Sequence, residues 1–144
     1  MAVETTAQIE QVPATRWRFS VDDYYRMGEV GILPHDARVE LINGDVIQMP
    51  PIGSHHQGTV NGTEELFRER LGRRVVVSGQ GPLLLRDFGA PQPDILILKR
   101  RDDHYRSANP TAADVLLLTE ISDSTLAHDR DTKAPMYAAA GISE

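Results

Sequence analysis

At 144 residues and 16.0 kDa the chain fits one ordinary domain and is too short for two. Apolar residues at 40% and charged residues at 25% suffice for a packed core, while the absence of Cys excludes disulfide scaffolds, thiolate zinc sites and cysteine nucleophiles and suits a reducing cytoplasm. Fifteen Lys and Arg against 21 Asp and Glu leave a net charge of −6, which excludes indiscriminate polyanion binding through bulk charge, so any nucleic-acid contact has to be local.

In chain order, residues 1–16 are polar, carry Pro13 and show no periodicity, which predicts a mobile arm ahead of a single domain over 17–144. The start lacks the basic and apolar segments of a secretory signal, so a cytoplasmic location is expected. Ser20-Val21-Asp22-Asp23 has the spacing at which a serine caps a helix and an acid sits in the first turn, predicting a short helix to about Gly28. The run from Arg38 to Met49, RVELINGDVIQM, places Asn43-Gly44 between two strand-like segments and predicts a tight hairpin. Ser54 and Gln57 repeat the capping spacing and predict a helix from about His55 to Arg70, weakened by Gly58 and Gly62 at about 1 kcal/mol each.

Three apolar segments follow, residues 75–77, 83–85 and 95–98, separated by glycines and prolines, and they predict short buried strands. A polar connection from Lys99 to Ala113 leads to a further buried strand over Asp114 to Ile121. Asp129 or Asp131 is placed to cap a last helix over Thr132 to Ala140, with Pro135 early in it and Gly141 just past its end. No apolar run approaches the roughly 20 residues that span a bilayer, so no membrane segment is predicted.

Two acids stand out by their surroundings. Asp94 heads the ILIL run and Glu120 lies in the LLLTEIS run, so both belong to apolar, buried segments. Burying unpaired carboxylates costs several kcal/mol each, so such acids sit at strand ends, find cations, or ligate a metal. Oxygen ligands suit Mg²⁺, which needs only one or two protein carboxylates beside its waters and a substrate phosphate, and which promotes phosphodiester hydrolysis. Caps, turns and salt bridges use the same residue types, so the pair alone does not decide between structure and catalysis.

The motif order adds a resemblance. Val39-Glu40-Leu41-Ile42-Asn43-Gly44, Pro93-Asp94, and Glu120-Ile121-Ser122-Asp123-Ser124-Thr125 followed by Asp129, Lys133, Tyr137 and Ala140-Gly141-Ile142 together resemble the Uma-type restriction endonuclease family of the PD-(D/E)XK nuclease superfamily, from about Phe19 onward. The resemblance implies an α/β fold: a restriction-endonuclease-like core with a mixed sheet flanked by helices. It also implies a metal-dependent endodeoxyribonuclease that uses Mg²⁺, with Mn²⁺ able to substitute, on DNA. By the same resemblance Asp94 and Glu120 hold the cation, Glu40 is a third metal or water ligand or a turn cap, and Lys133 positions the attacking water. Ser122 departs from the superfamily pattern, which expects lysine there; Lys133, thirteen positions after Glu120, takes that role from the following helix.

His56 and Gln57 match the family's helix after the hairpin and are secondary candidates, an ordinary helix-start histidine being the alternative; His55 and His56, adjacent in sequence, cannot share a helix face. Tyr137 reads as a packing residue. Lys99, Arg100, Arg101 and Arg106 form a basic loop that either holds DNA phosphates or is simply solvated. Members of the family continue into another hydrophobic strand after the segment that ends here, so a C-terminally truncated sheet with an open edge is expected, and with it a homodimer. The competing reading is a catalytically inactive nuclease-fold module for DNA binding or assembly, favoured by the displaced lysine and the acidic charge; a small-molecule-binding α/β domain explains the motif order poorly.

Overall fold

The computed structural model describes residues 14–143. Helix α1 spans Val21–Glu29 and is opened by the capping box foreseen for Ser20 and Asp23. Strands β1 (Val39–Ile42) and β2 (Asp45–Gln48) form an antiparallel hairpin. Its turn needs positive φ at both central residues, which Asn43 (51°) and Gly44 (86°) supply. A side chain at Gly44 would also strike Arg18, whose Cβ lies 2.7 Å from where a Cβ would stand.

Helix α2 (Ser54–Leu71) follows. Gly53, not Ser54, occupies its N-cap, and no side chain caps it, so the capping box expected from Ser54 and Gln57 does not form. Strands β3 (Val75–Gly79), β4 (Ile95–Lys99) and β5 (Val115–Thr119) build a second antiparallel sheet in the order β3-β4-β5. The fold is mixed α/β with two small antiparallel sheets, and an isolated bridge ties Leu41 of β1 to Ala90 in the connection that leads to β4. Residues 83–85, expected as a strand, make only isolated bridges, Leu84 to Thr111 and Leu85 to Gly89, although Leu83 and Leu85 are buried. Their three N–H groups donate to carbonyls at three separate places, Leu83 to Pro91, Leu84 to Pro110 and Leu85 to Gly89, and the prolines among these partners return no donor, so no continuous ladder forms.

The last helical stretch is three pieces rather than one: α3 (Leu126–His128), a π-helical turn (Asp129–Lys133) and α4 (Ala134–Ala139), with Gly141 left-handed just beyond. Neither Asp129 nor Asp131 is an N-cap; Thr125 holds that place for α3 and Lys133 for α4. Asp129 accepts hydrogen bonds from the Ser122 and Thr125 hydroxyls, and Asp131 pairs with its exposed neighbour Arg130. The expected arm falls largely outside the described residues; within them Arg16 is bound to Asp45 of the hairpin at 2.8 Å. No helix among the described residues is long and apolar enough to cross a membrane.

Strand β4 is buried on both faces, and its period-two alternation divides the core. Ile95 and Ile97 join Val60 and Phe67 of α2, whereas Leu96 and Leu98 join Met136 and Tyr137 of α4. The same alternation assigns the acids. Asp94 shares its parity with Leu96 and Leu98, Glu120 with Leu118, and Glu40 with Ile42, all packed in the α4-side cluster. Three carboxylates far apart in sequence are thereby directed to one side of the sheets.

Candidate active site

The acids converge on a cleft of about 320 Å³ whose walls include Glu40, His56, Asp94, Glu120, Asp129 and Lys133. Lys133 is its centre. The π-helical turn widens the helix by one residue and delivers this lysine inward, a distortion that recurs at functional sites. The residue is only 4% exposed, and its ammonium donates to Glu40 Oε1 at 3.0 Å and Glu120 Oε1 at 3.2 Å, with Asp129 Oδ1 at 4.0 Å. Burial pulls the Lys133 pKa down, but the adjacent Glu120 and Glu40 outweigh it and hold the amine above its ordinary value. Lys133 is therefore charged at any physiological pH.

Each acid is fixed by a second set of partners. Glu40, 3% exposed, accepts from the Gln92 backbone N–H through Oε2 at 3.1 Å. Asp94 accepts from the Ile121 N–H at 2.8 Å through Oδ2, and its Oδ1 lies 3.0 Å from His56 Nε2. Glu120 accepts from the Tyr137 hydroxyl at 2.5 Å. Burial raises the Glu120 pKa to about 6, against the opposing pull of Lys133 and of the Tyr137 hydrogen bond and with a further push from the Asp94 charge. Tyr137 is itself raised, by burial and then by the charge of Glu120, so it stays a proton donor.

The expected residues divide accordingly. Glu40, Asp94, Glu120, Lys133 and His56 come together. Gln57 does not; its amide donates to Asn61 along the exposed flank of α2. Lys99, Arg100, Arg101 and Arg106 lie at and beyond the opposite end of β4 from Asp94, about 16 Å away at the usual strand rise. There Lys99 donates to the Ala113 carbonyl and Arg101 pairs with Asp103.

Among the described residues no group of three or more His, Asp or Glu side chains is arranged to hold a metal. Glu40, expected as a third metal or water ligand, has one oxygen on the Lys133 ammonium and the other on a backbone N–H. Asp94 and Glu120 still fit a hard cation as a two-carboxylate set, because Mg²⁺ is content with one or two and fills the remaining positions with water.

Three site residues escape the sequence reading. Tyr137 packs in the core as expected yet also holds Glu120; its place four residues after Lys133, on the same helix face, is the signal. Asp129 anchors the π-helical turn to the loop before it through Ser122, the very position where the superfamily pattern expects lysine. His128 lines the cleft, and its Nε2 is buried without a hydrogen-bond partner among the described residues; nothing in its sequence context marks it.

No curated protein matches the chain. The Uma2 family model, described as "Putative restriction endonuclease", matches residues 21–144, which takes in every element of both sheets and all the helices described above. The mixed α/β architecture is that of a restriction-endonuclease-like fold, and the chain belongs to the Uma2 family.

Proposed function

We propose that the chain is a Mg²⁺-dependent endodeoxyribonuclease that hydrolyses phosphodiester bonds of DNA, with Mn²⁺ able to replace Mg²⁺. The observation that carries this reading is the Lys133 ammonium, buried between Glu40 and Glu120 in a cleft that Asp94 also lines. Such an arrangement is expensive in folding free energy and contributes little stability beyond what apolar packing would, which argues for use in chemistry.

Asp94 and Glu120 are the residues that would hold the cation, and burial keeps the Glu120 pKa raised even with the Lys133 ammonium beside it. When bound, Mg²⁺ supplies Lewis-acid polarisation of the phosphoryl group and a more acidic water. His56 orients Asp94, and Tyr137 orients Glu120. An ammonium has three N–H donors. Two of those on Lys133 are engaged by Glu40 and Glu120, and the third is left to position the attacking water and to stabilise charge on the phosphate. Water adds to phosphorus as the bond to one bridging oxygen breaks, and the proton lost by the water is returned to solvent while the leaving oxygen gains one.

The test is cleavage of plasmid DNA by purified protein in MgCl₂, repeated with Asp94→Ala and with EDTA. Abolition in both arms is expected, and cleavage that survives both overturns the site. A second reading, a catalytically inactive nuclease-fold module, draws on the capture of Lys133 by two carboxylates and the absence of a three-ligand cluster among the described residues. Calorimetry with MgCl₂ separates the two, since a silent site gives no heat that Asp94→Ala removes. Double-strand cleavage also suits a homodimer. β5 is an outer strand, and Leu116 on it is 47% exposed, which supports pairing with a second copy that light scattering would detect.

A further inference from the structure

The cleft is short of positive charge. Glu40, Asp94, Glu120, Asp123 and Asp129 line it, and among the described residues Arg38 and Lys133 are the only lysine or arginine residues in the same wall. Lys133 is buried and committed to its carboxylates, whereas Arg38 is exposed at the mouth. A polyanionic strand approaching these acids needs a fixed cation where it enters.

Arg38 is built for that place. It stands two residues before Glu40, so strand alternation puts both side chains on the cleft side of the hairpin, about 7 Å apart. Its carbonyl accepts from the Met49 N–H at 2.8 Å, which extends the β1–β2 ladder by one pair. Its Nη1 donates to the Pro50 carbonyl at 2.7 Å. One N–H thus braces the guanidinium against the cleft wall, and its remaining donors have no partner among the described residues. Such a planar, half-immobilised fork suits bidentate pairing with a phosphate. In the basic loop at the far end of β4, Arg101 has no such freedom, its Nε and Nη2 being held by Asp103 and Ser107.

We infer that Arg38 grips a DNA backbone phosphate adjoining the one that lies over Lys133. The inference rests on the nuclease reading and deepens it by naming the contact through which the strand is held.

The experiment is fluorescence anisotropy of a labelled 20-residue oligonucleotide, single-stranded and duplex, in EDTA across a KCl series, with steady-state cleavage in MgCl₂ alongside. Arg38→Gln keeps a donor for Pro50 but removes the charge. It is expected to weaken binding about ten-fold and to flatten the slope of log affinity against log salt by about 0.9 on duplex or about 0.7 on single strands. In cleavage KM rises while kcat is held. Arg38→Lys restores the slope, which a merely structural bond to Pro50 would not require. Binding by the wild type with an unchanged slope in Arg38→Gln, or a slope carried instead by Arg100 and Arg106, overturns the inference and leaves the nuclease reading standing. A wild type that neither binds nor cuts DNA overturns both.

Discussion

Strand β4 carries charge at both ends, and the two ends resolve it in opposite ways. Beyond its last residue, Arg101 pairs with Asp103 two positions on, Ser107 donates to the same carboxylate, and the Tyr105 hydroxyl donates to the Lys99 carbonyl. Every partner is local and half-exposed, and the loop satisfies itself. Before its first residue, Asp94 is met by His56 from 38 positions away and by the Ile121 N–H from 27, beside a lysine that joins Glu40 and Glu120. Local pairing shapes a loop at little cost, whereas charges assembled from four distant segments and taken out of water need another justification. The basic run is the more conspicuous feature in the sequence, yet the scattered acids are the ones that converge.

The sharpest way to break this contrast is Lys133→Met. It leaves Glu40 and Glu120 buried without their shared cation, so a loss of about 3–5 kcal/mol is expected in urea denaturation. Cleavage should fall on the order of 10² to 10³-fold. Because the variant also strains folding, the double variant Glu40→Gln/Lys133→Met serves as the control. It should recover part of the stability while recovering none of the cleavage, and recovery of both would reduce Lys133 to a structural cation.

A smaller loss is expected from Tyr137→Phe, which keeps the ring in the core and deletes only the hydrogen bond to Glu120. Bonds to charged groups are worth about 2 kcal/mol. Since that bond holds the Glu120 pKa down, its removal should move the carboxyl above its present value of about 6. Carbonyl-carbon NMR of Glu120 across a pH series measures the displacement directly.

The fold was far more legible in the sequence than the site. Asn43-Gly44 announces its hairpin because only a few residues accept positive φ, and Ser20 with Asp23 announces α1 because capping is local chemistry. Residues 83–85 misled because an apolar run shows burial and not pairing, and pairing depended on neighbours rich in proline and glycine. Motif order, helped by strand alternation, singles out the three acids and Lys133 that line one cleft. Their mutual contacts are not legible there: that the Lys133 ammonium lies on Glu40 depends on the π-helical turn, which no periodicity reveals.

The pH dependence of stability sharpens the comparison further. Glu120 is displaced from 4.5 to about 6 in the folded chain. The raised value means that folding favours its protonated form, so its contribution is fully present below pH 4.5 and is lost as pH climbs through about 6. The change amounts to about 2 kcal/mol. Subtracting the urea-derived stability of Glu120→Gln from that of the wild type at each pH isolates it, and a flat difference between pH 4 and pH 7 would mean that Glu120 is not desolvated as the geometry implies.

The smallest effect belongs to the other end of β4. Arg101 lies over the Tyr105 ring with its guanidinium carbon 4.5 Å from the centroid and pairs with Asp103 at 2.8 Å. Both groups of the pair keep about a third of their side-chain surface in water. An exposed ion pair and an exposed cation–π contact each contribute at most about 1 kcal/mol, so Arg101→Ala should cost about that much or less. Salt then distinguishes the ends. Raising NaCl toward 1 M shrinks the Debye length to about 3 Å and should remove most of the Arg101 effect, while the penalty of Lys133→Met, buried from the ions, should persist. An Arg101 effect as large and as salt-resistant as that of Lys133 would mean that the loop's charges are tertiary after all, and the contrast between the two ends would fail.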